Sequence, residues 1–152
     1  IVQRYVHKPL LLGGYKFDLR LYVLVTSVDP LRCYLHRDGL ARFCTAPYSV
    51  PNSKNLEEAY MHLTNYSLNK HNAEAFVSGD TENASKRSIS HVWEQMAAEG
   101  LPTGPLWDQL KQLCLRTLQA MVPKLWMAYH AHVTNGDGPS MCFQILGFDV
   151  II

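Results

Sequence analysis

No apolar run in the sequence approaches the ~20 residues that a membrane-spanning helix needs, and no basic segment followed by an apolar stretch marks a secretory signal. Net charge is also nearly absent, because 14 Lys and Arg residues against 13 Asp and Glu residues leave +1. This balance does not support binding to nucleic acid or to a charged membrane surface, so we expect no nucleic-acid partner and no membrane partner. Hydrophobic residues are 47% of the 152 residues, which excludes an intrinsically disordered chain and predicts a packed core.

Cysteine is scarce and scattered. Cys33, Cys44, Cys114 and Cys142 form no Cys-x-x-Cys pair and no compact cluster. Buried free thiols in a reducing compartment are therefore expected, rather than disulfides or a metal site. Both ends of the chain fall within strand-like runs, so we expect residues 1–152 to be part of a larger domain that is cut at both ends.

The hydrophobic pattern changes from a strand period to a helix period along the chain. A β-prone run at 2–6 is followed by predicted strands at 17–26, 31–37 and 40–45, with turns at Asp29-Pro30 and Asp38-Gly39. Then come a mobile polar loop at 78–87, a helix capped by Ser88 or Ser90 and ended by Gly100, a helix opened by Pro105, and a strand at 141–152. This order predicts an α+β fold, in which helices cover one face of a mainly antiparallel sheet.

Three charged residues alternate at the start of the first long strand. Lys16, Asp18 and Arg20 have the i, i+2, i+4 spacing that places side chains on one strand face, opposite Phe17 and Leu19. Charges in an apolar strand must pair, meet solvent or meet a charged ligand. Two interpretations stay open: an ion-pair ladder on an exposed sheet face, and the polar floor of a pocket for phosphate or carboxylate.

Other polar side chains could complete such a site. Arg42 lies on the third predicted strand near Arg20, and two arginines without nearby acids would need an anion. Asp149 is the only charge in residues 143–152, so it predicts either a salt bridge at a strand end or a bound cation. Residues 62–65, which include Thr64 and Asn65, form either a capped turn or a hydrogen-bonding site.

Five segments in this order resemble the tubulin–tyrosine-ligase-like family, and the resemblance spans essentially the whole chain. They are Gln3–Val6, Lys16–Arg20, Gly39–Phe43, His62–Lys70 and Phe143–Asp149. The likeness is greatest to the polyglutamylase branch, from Tyr66-Ser67 through Ser85–Ser88.

The resemblance implies an ATP-grasp fold, of which this chain would be most of the C-terminal lobe. It also implies an ATP- and magnesium-dependent ligase that joins free glutamate to side-chain carboxylates of tubulin tails through an acyl-phosphate. The residues that it assigns to ATP are Gln3, Arg4, Tyr5, Val6, Lys16, Phe17, Asp18, Thr64 and Asn65. Lys16 and Arg20 would be catalytic, and Arg20 would hold the phosphate or acyl-phosphate.

By the same resemblance, Arg42, Tyr66 and Lys86 would bind glutamate, and Asp149 would be a magnesium ligand. The expected location is the cytoplasm and cytoskeleton, at a cilium, axoneme or basal body, with microtubules as the partner. The family's other metal ligands and its N-terminal lobe would lie outside residues 1–152, so the fragment alone would be incomplete. A tubulin glycylase and a catalytically silent microtubule-associated module remain as alternatives.

Overall fold

A computed structural model describes residues 2–79, 81, 84–133 and 142–152. Its strands are β1 (Leu11–Leu12), β2 (Tyr15–Val28), β3 (Leu31–Phe43), β4 (Lys86–Ser88) and β5 (Gln144–Val150). Its helices are α1 (Ala59–His62), α2 (Tyr66–Asn69), α3 (Ile89–Ala98) and α4 (Thr103–His132). Every strand pair is antiparallel, so the predicted α+β fold with an antiparallel sheet is confirmed.

The long strand β2 is the centre of the sheet. It pairs with β3 on one side, and with β1 and β5 on the other, while β4 pairs with the far side of β3. Gly13 and Gly14 join β1 to β2 with φ values of 58° and 82°. Positive φ at two successive residues is typical of the tight turn that suits the strand twist of a hairpin.

Alternation along β2 sends one set of side chains to the helices. Phe17, Leu19, Leu21 and Val23 are buried in the core. Each such side chain contributes about 1.5–3 kcal/mol relative to an exposed one. The helical side of this core is formed by Ile89, Val92, Met96, Leu110, Cys114 and Leu118. The helices therefore cover one sheet face, and the opposite face of β2 carries Lys16, Asp18 and Arg20.

The predicted turn at Asp38-Gly39 is wrong, because β3 passes through both residues without a break. Leu21 pairs with Gly39 but Val23 pairs with Leu35, so β3 advances four residues while β2 advances two. The extra residues form a bulge. The Asp38 carboxylate accepts hydrogen bonds from the backbone N–H and the hydroxyl of Ser90, both at 3.1 Å, and so ties the bulge to the start of α3.

Glycine at position 39 is required by the close approach of two neighbours. A Cβ there would lie 2.3 Å from the Arg20 carbonyl oxygen and 2.9 Å from Cδ1 of Ile89. We expect Gly39→Ala to lower the free energy of unfolding by about 3 kcal/mol, since the backbone oxygen can move only with its strand. Gly104→Ala is the matched control, because a Cβ at Gly104 meets nothing within 4 Å. Equal unfolding midpoints for the two variants in urea would contradict the prediction.

Two segments differ from the sequence-based expectation. Residues 2–6 form no strand, although their composition is β-prone. The loop predicted at 78–87 is wrong at its C-terminal end, where Lys86 begins β4 and Ser85 is buried. Residues 80, 82 and 83 of that loop lie outside the described part of the chain.

Arg87 explains why the end of this segment is ordered. Its guanidinium donates to the Ala84 carbonyl at 2.7 Å and to Oε1 of Gln95 at 2.8 Å. It also lies 3.9 Å from the ring centroid of Phe43, within cation–π distance. A buried arginine with these partners holds β4 against the core, which composition alone does not reveal.

The helix limits agree with the capping signals. Ser88 caps α3 by accepting from the His91 N–H, and Gly100 follows α3 with a φ of 77°. The next helix, α4, begins at Thr103, earlier than the predicted Pro105, and continues through Pro123.

Among the described residues, no helix is long and apolar enough to cross a membrane. Met141, where the last strand was expected to start, is not described, and β5 begins at Gln144.

None of the four cysteines is part of a disulfide, as predicted. Cys44 and Cys114 are buried, whereas Cys142 is exposed, so the expectation of burial is wrong for Cys142. Burial raises the pKa of the Cys44 thiol to about 12, which keeps it protonated at neutral pH.

Candidate active site

The polar face of β2 confirms that Lys16, Asp18 and Arg20 share one side of the strand, opposite Phe17 and Leu19. The interpretation as an exposed ion-pair ladder is wrong, because Lys16 is 2% exposed and Asp18 is 3% exposed. The three residues do not pair with one another. Each one instead bonds to a group on a different element.

Asp18 faces Arg42 directly across β2 and β3. Arg42 donates from Nε to Oδ1 at 2.9 Å and from Nη2 to Oδ2, which makes a bidentate ion pair. Both side chains are largely buried. The hydrogen bond to Asp18 raises the pKa of the Arg42 guanidinium above its ordinary value. A planar fork of this kind fixes the orientation of both groups.

Arg20 faces Asp149 in the same way across β2 and β5. It donates from Nη2 to Oδ2 at 2.8 Å and from Nε to Oδ1. Arg42 also reaches Asp149, with Nη2 at 3.0 Å from Oδ2. The hydrogen bond from Arg20 lowers the pKa of the Asp149 carboxyl. A Cβ at Gly147 would lie 3.2 Å from Cδ of Arg20, so the glycine leaves room for the arginine stem.

We call Asp18, Arg20, Arg42 and Asp149 the charged quartet. Two arginines without nearby acids would need a bound anion, but here each arginine has a carboxylate partner. The sequence left two interpretations of Asp149 open, a salt bridge at a strand end and a bound cation, and the structure shows the salt bridge. The quartet spans three strands and combines two cations with two anions, so its net charge is zero.

Lys16 is held by a different set of groups. Its Nζ donates to the His62 carbonyl at 2.8 Å and to the Tyr5 hydroxyl at 3.1 Å, and it lies 4.4 Å from the centroid of the Tyr5 ring. Burial lowers the pKa of the Lys16 ammonium. No separate role for His62 was predicted from the sequence, although its position before Thr64 and Asn65 was part of the motif.

Arg42, Tyr66 and Lys86 lie close together. Arg42 and Lys86 are directly opposite in the β3–β4 register, so their side chains share the face that carries the quartet. The Lys86 ammonium lies 5.5 Å from the centroid of the Tyr66 ring. Tyr66 and Lys86 are exposed, whereas Arg42 and its partner Asp18 are largely buried.

Thr64 and Asn65 sit where α1 gives way to α2. Asn65 is the N-cap residue of α2 but its side chain makes no capping hydrogen bond, so the interpretation as an asparagine-capped turn is wrong. The fully buried Asn69 holds this turn instead, through bonds from Nδ2 to the carbonyl oxygens of Leu63 at 2.7 Å and Asn65 at 3.1 Å. Its Oδ1 accepts from the Thr45 N–H at 3.0 Å.

The structural role of Asn69 was not predicted from the sequence. Asparagine is uncommon inside helices because its side chain competes for backbone groups, and that was the available signal. Gln3, Arg4 and Val6 are exposed, and Tyr5 anchors their segment to the rest of the site.

The metal-binding capacity of this face is limited. Among residues 2–79, 81, 84–133 and 142–152, no group of three or more His, Cys, Asp or Glu side chains could hold an ion. The carboxylate of Asp149 is 46% exposed, whereas that of Asp18 is buried in its ion pair with Arg42. Magnesium commonly binds one or two carboxylates together with substrate phosphates, and a single accessible carboxylate fits that arrangement.

Comparison with known proteins gives a match over all of residues 1–152 to the tubulin-tyrosine ligase family. The chain is 43% identical over 152 residues to "Tubulin polyglutamylase TTLL11" of Mus musculus and 47% identical over 156 residues to "Tubulin polyglutamylase TTLL7" of Homo sapiens. It is 44% identical over 152 residues to "Tubulin polyglutamylase TTLL6" of Mus musculus. These alignments cover 100% of this chain and 21%, 17% and 18% of the relatives.

The chain therefore spans about a fifth of the length of the curated relatives that it matches. The antiparallel sheet with helices on one face agrees with the ATP-grasp-like fold that the resemblance implied. With a match along its entire length, the chain belongs to the tubulin–tyrosine ligase family.

Proposed function

We propose that the protein containing this chain is an ATP-dependent ligase that adds glutamate to side-chain carboxylates of tubulin tails. The observation that carries the proposal is the alignment of Asp18, Arg42 and Lys86 across three strands, next to Arg20 and Asp149. This face offers groups for a nucleotide and for an acidic amino acid. Relatives named tubulin polyglutamylases support the same substrates.

The proposed reaction passes through an acyl-phosphate. The acceptor carboxylate attacks the γ-phosphorus of ATP and ADP leaves; the amine of glutamate then attacks the acyl carbon, releases phosphate and loses a proton. Such chemistry depends mostly on positioning and on neutralising charge. Arg20 would bind the transferred phosphoryl group, for which a guanidinium is well suited.

The nucleotide would lie against residues 3–6, Lys16, Asp18, Thr64 and Asn65. Backbone groups of residues 3–6 would hold adenine, and Lys16 would contact phosphate. Phe17, also assigned to ATP by the resemblance, can contribute only through its backbone. Its ring is buried and lies 5.0 Å from the ring of Phe43.

Magnesium would be held by Asp149 together with phosphate oxygens, where it would neutralise charge on the phosphates. Both oxygens of Asp149 already accept hydrogen bonds from arginine. The carboxylate must therefore share or exchange these contacts when a cation binds.

Glutamate would bind at Arg42, Tyr66 and Lys86. Its two carboxylates need two cationic partners, whereas glycine, with one carboxylate, would lack the ion pair with Lys86, and a hydrogen bond to a charged group contributes about 1.5–3 kcal/mol. We expect the full-length protein to prefer glutamate over glycine by about 10- to 100-fold. The measurement is the mass added to microtubules with ATP and either amino acid.

Variants of two exposed lysines sharpen this test. Lys86→Ala should weaken the preference for glutamate, whereas Lys70→Ala, a change of the same type at the end of α2, should leave it intact.

A wild type that uses glycine at least as well would contradict the glutamylase assignment and favour a glycylase. Addition of neither amino acid would favour a catalytically silent microtubule-associated module. We place the activity on the microtubule cytoskeleton, at a cilium, axoneme or basal body.

A further inference from the structure

His62 is a buried histidine whose ring has no role in the chemistry described above. Its Nε2 lies 2.8 Å from the Asn55 carbonyl oxygen, and its Nδ1 lies 2.7 Å from the Tyr5 hydroxyl. A carbonyl oxygen can only accept, so Nε2 carries the hydrogen. In the neutral ring Nδ1 then accepts, and the Tyr5 hydroxyl donates to it.

The same hydroxyl has a second partner on its other side. The Lys16 ammonium donates to the Tyr5 oxygen at 3.1 Å, and also to the backbone carbonyl of His62 at 2.8 Å. The donors therefore run in one direction, from Lys16 to Tyr5, from Tyr5 to His62 and from His62 to Asn55. Such a chain fixes the Tyr5 hydroxyl, because its hydrogen is donated to His62 and its oxygen accepts from Lys16.

Tyr5 also connects two parts of the nucleotide site. It belongs to the segment of residues 3–6, which forms no strand and is exposed to solvent. Lys16 lies in β2, the centre of the sheet. The Tyr5 hydroxyl connects this irregular segment to the sheet. The rings of Tyr5 and His62 also pack edge to face, with their centroids 5.5 Å apart, and this contact holds the segment in the same place.

We propose that His62 is a positioning residue for the nucleotide, because its ring orients the Tyr5 hydroxyl and thereby fixes the Lys16 ammonium beside residues 3–6. The inference rests on the proposed function, since it takes Lys16 and residues 3–6 as nucleotide contacts. None of the hydrogen bonds in the chain from Lys16 to Asn55 reaches Arg42 or Lys86. Loss of the ring acceptor should therefore weaken ATP binding and leave the use of glutamate nearly unchanged.

Two substitutions separate the two ring nitrogens of His62. Asparagine places an acceptor oxygen near the position of Nδ1, whereas glutamine places a donor nitrogen near the position of Nε2. In the full-length protein, His62→Gln and Tyr5→Phe should each raise the Kd and the KM for ATP about tenfold, with the KM for glutamate within about twofold. His62→Asn should restore ATP affinity to within about threefold of wild type.

The double variant Tyr5→Phe with His62→Gln should be no worse than either single variant, because both remove the same link. Tyr34→Phe, at the far end of β3, is the matched control for loss of a tyrosine hydroxyl. Equal ATP affinities for His62→Gln and His62→Asn would overturn the inference. If His62→Gln fails to fold, a wild-type Kd for ATP in Tyr5→Phe overturns it equally.

Direct ATP binding distinguishes this inference from the proposed function. A wild type that binds ATP but adds no glutamate defeats the proposed function, while the Kd values of the variants still decide the role of His62. A wild type that ligates glutamate, with unchanged ATP affinity in His62→Gln and Tyr5→Phe, defeats only the inference about His62. A wild type that binds no ATP overturns both.

Discussion

Arg42→Ala is expected to lower the free energy of unfolding by about 3–5 kcal/mol, because it leaves the carboxylate of Asp18 buried without its bidentate partner. Asp18 is 3% exposed, so water cannot replace the lost guanidinium. The measurement is chemical denaturation of the full-length protein, followed by its intrinsic tryptophan fluorescence and compared with wild type. The same variant should bind glutamate more weakly, but the stability loss must be separated from that effect.

Two comparisons make the Arg42 result specific. The double variant Asp18→Leu with Arg42→Met should recover much of the lost stability, since it removes both charges together. Lys111→Ala, which breaks the exposed ion pair of Lys111 with Asp108 at 3.0 Å, should cost less than about 1 kcal/mol. An Arg42→Ala protein as stable as Lys111→Ala would show that the buried pair does not stabilise the fold.

Asp149→Asn is expected to reduce ligation at least about 100-fold while the protein stays folded. Asparagine is nearly the same size as aspartate and still offers one acceptor oxygen to Arg20 or Arg42. Because Asp149 is 46% exposed, losing its charge should change the free energy of unfolding by only about 1 kcal/mol or less. The measurement is the rate of glutamate addition to microtubules at saturating ATP and magnesium, together with the thermal unfolding temperature.

Asp29 provides a matched control for Asp149. It is 49% exposed and accepts hydrogen bonds from Trp126 and His130, both at 3.0 Å, at the turn between β2 and β3. Asp29→Asn removes the same charge from a carboxylate of similar exposure, and it should leave ligation unchanged. Ligation near the wild-type rate in Asp149→Asn would contradict the role of Asp149 as a metal ligand. If Asp29→Asn lowers the ligation rate as much as Asp149→Asn does, the loss of any exposed negative charge would explain the result and a metal ligand would not be needed.

Local patterns predicted the elements well. The two-residue period of Lys16, Asp18 and Arg20 placed them on one strand face, and Ser88 and Gly100 marked the limits of α3 correctly. These signals succeed because strand alternation and helix capping depend on residues within a few positions of one another.

Signals that depend on distant partners were misread. An Asp-Gly pair is typical of a tight turn, yet Asp38 and Gly39 form a bulge because β2 offers a long partner strand and Ser90 offers donors to the aspartate. Likewise, the β-prone residues 2–6 form no strand, and Tyr5 fixes them through a side chain instead.

A cationic strand face and a lone strand carboxylate could be inferred from the sequence, because both follow from the spacing of charges in apolar runs. The pairing of these charges could not be inferred in this way, because it depends on how the strands are arranged in the sheet. Arg20 and Asp149 are separated by 129 positions in the chain, and their pairing depends on the β2–β5 register. That register arises when the apolar face of each strand packs on the same core, so it is a property of the whole sheet rather than of any segment.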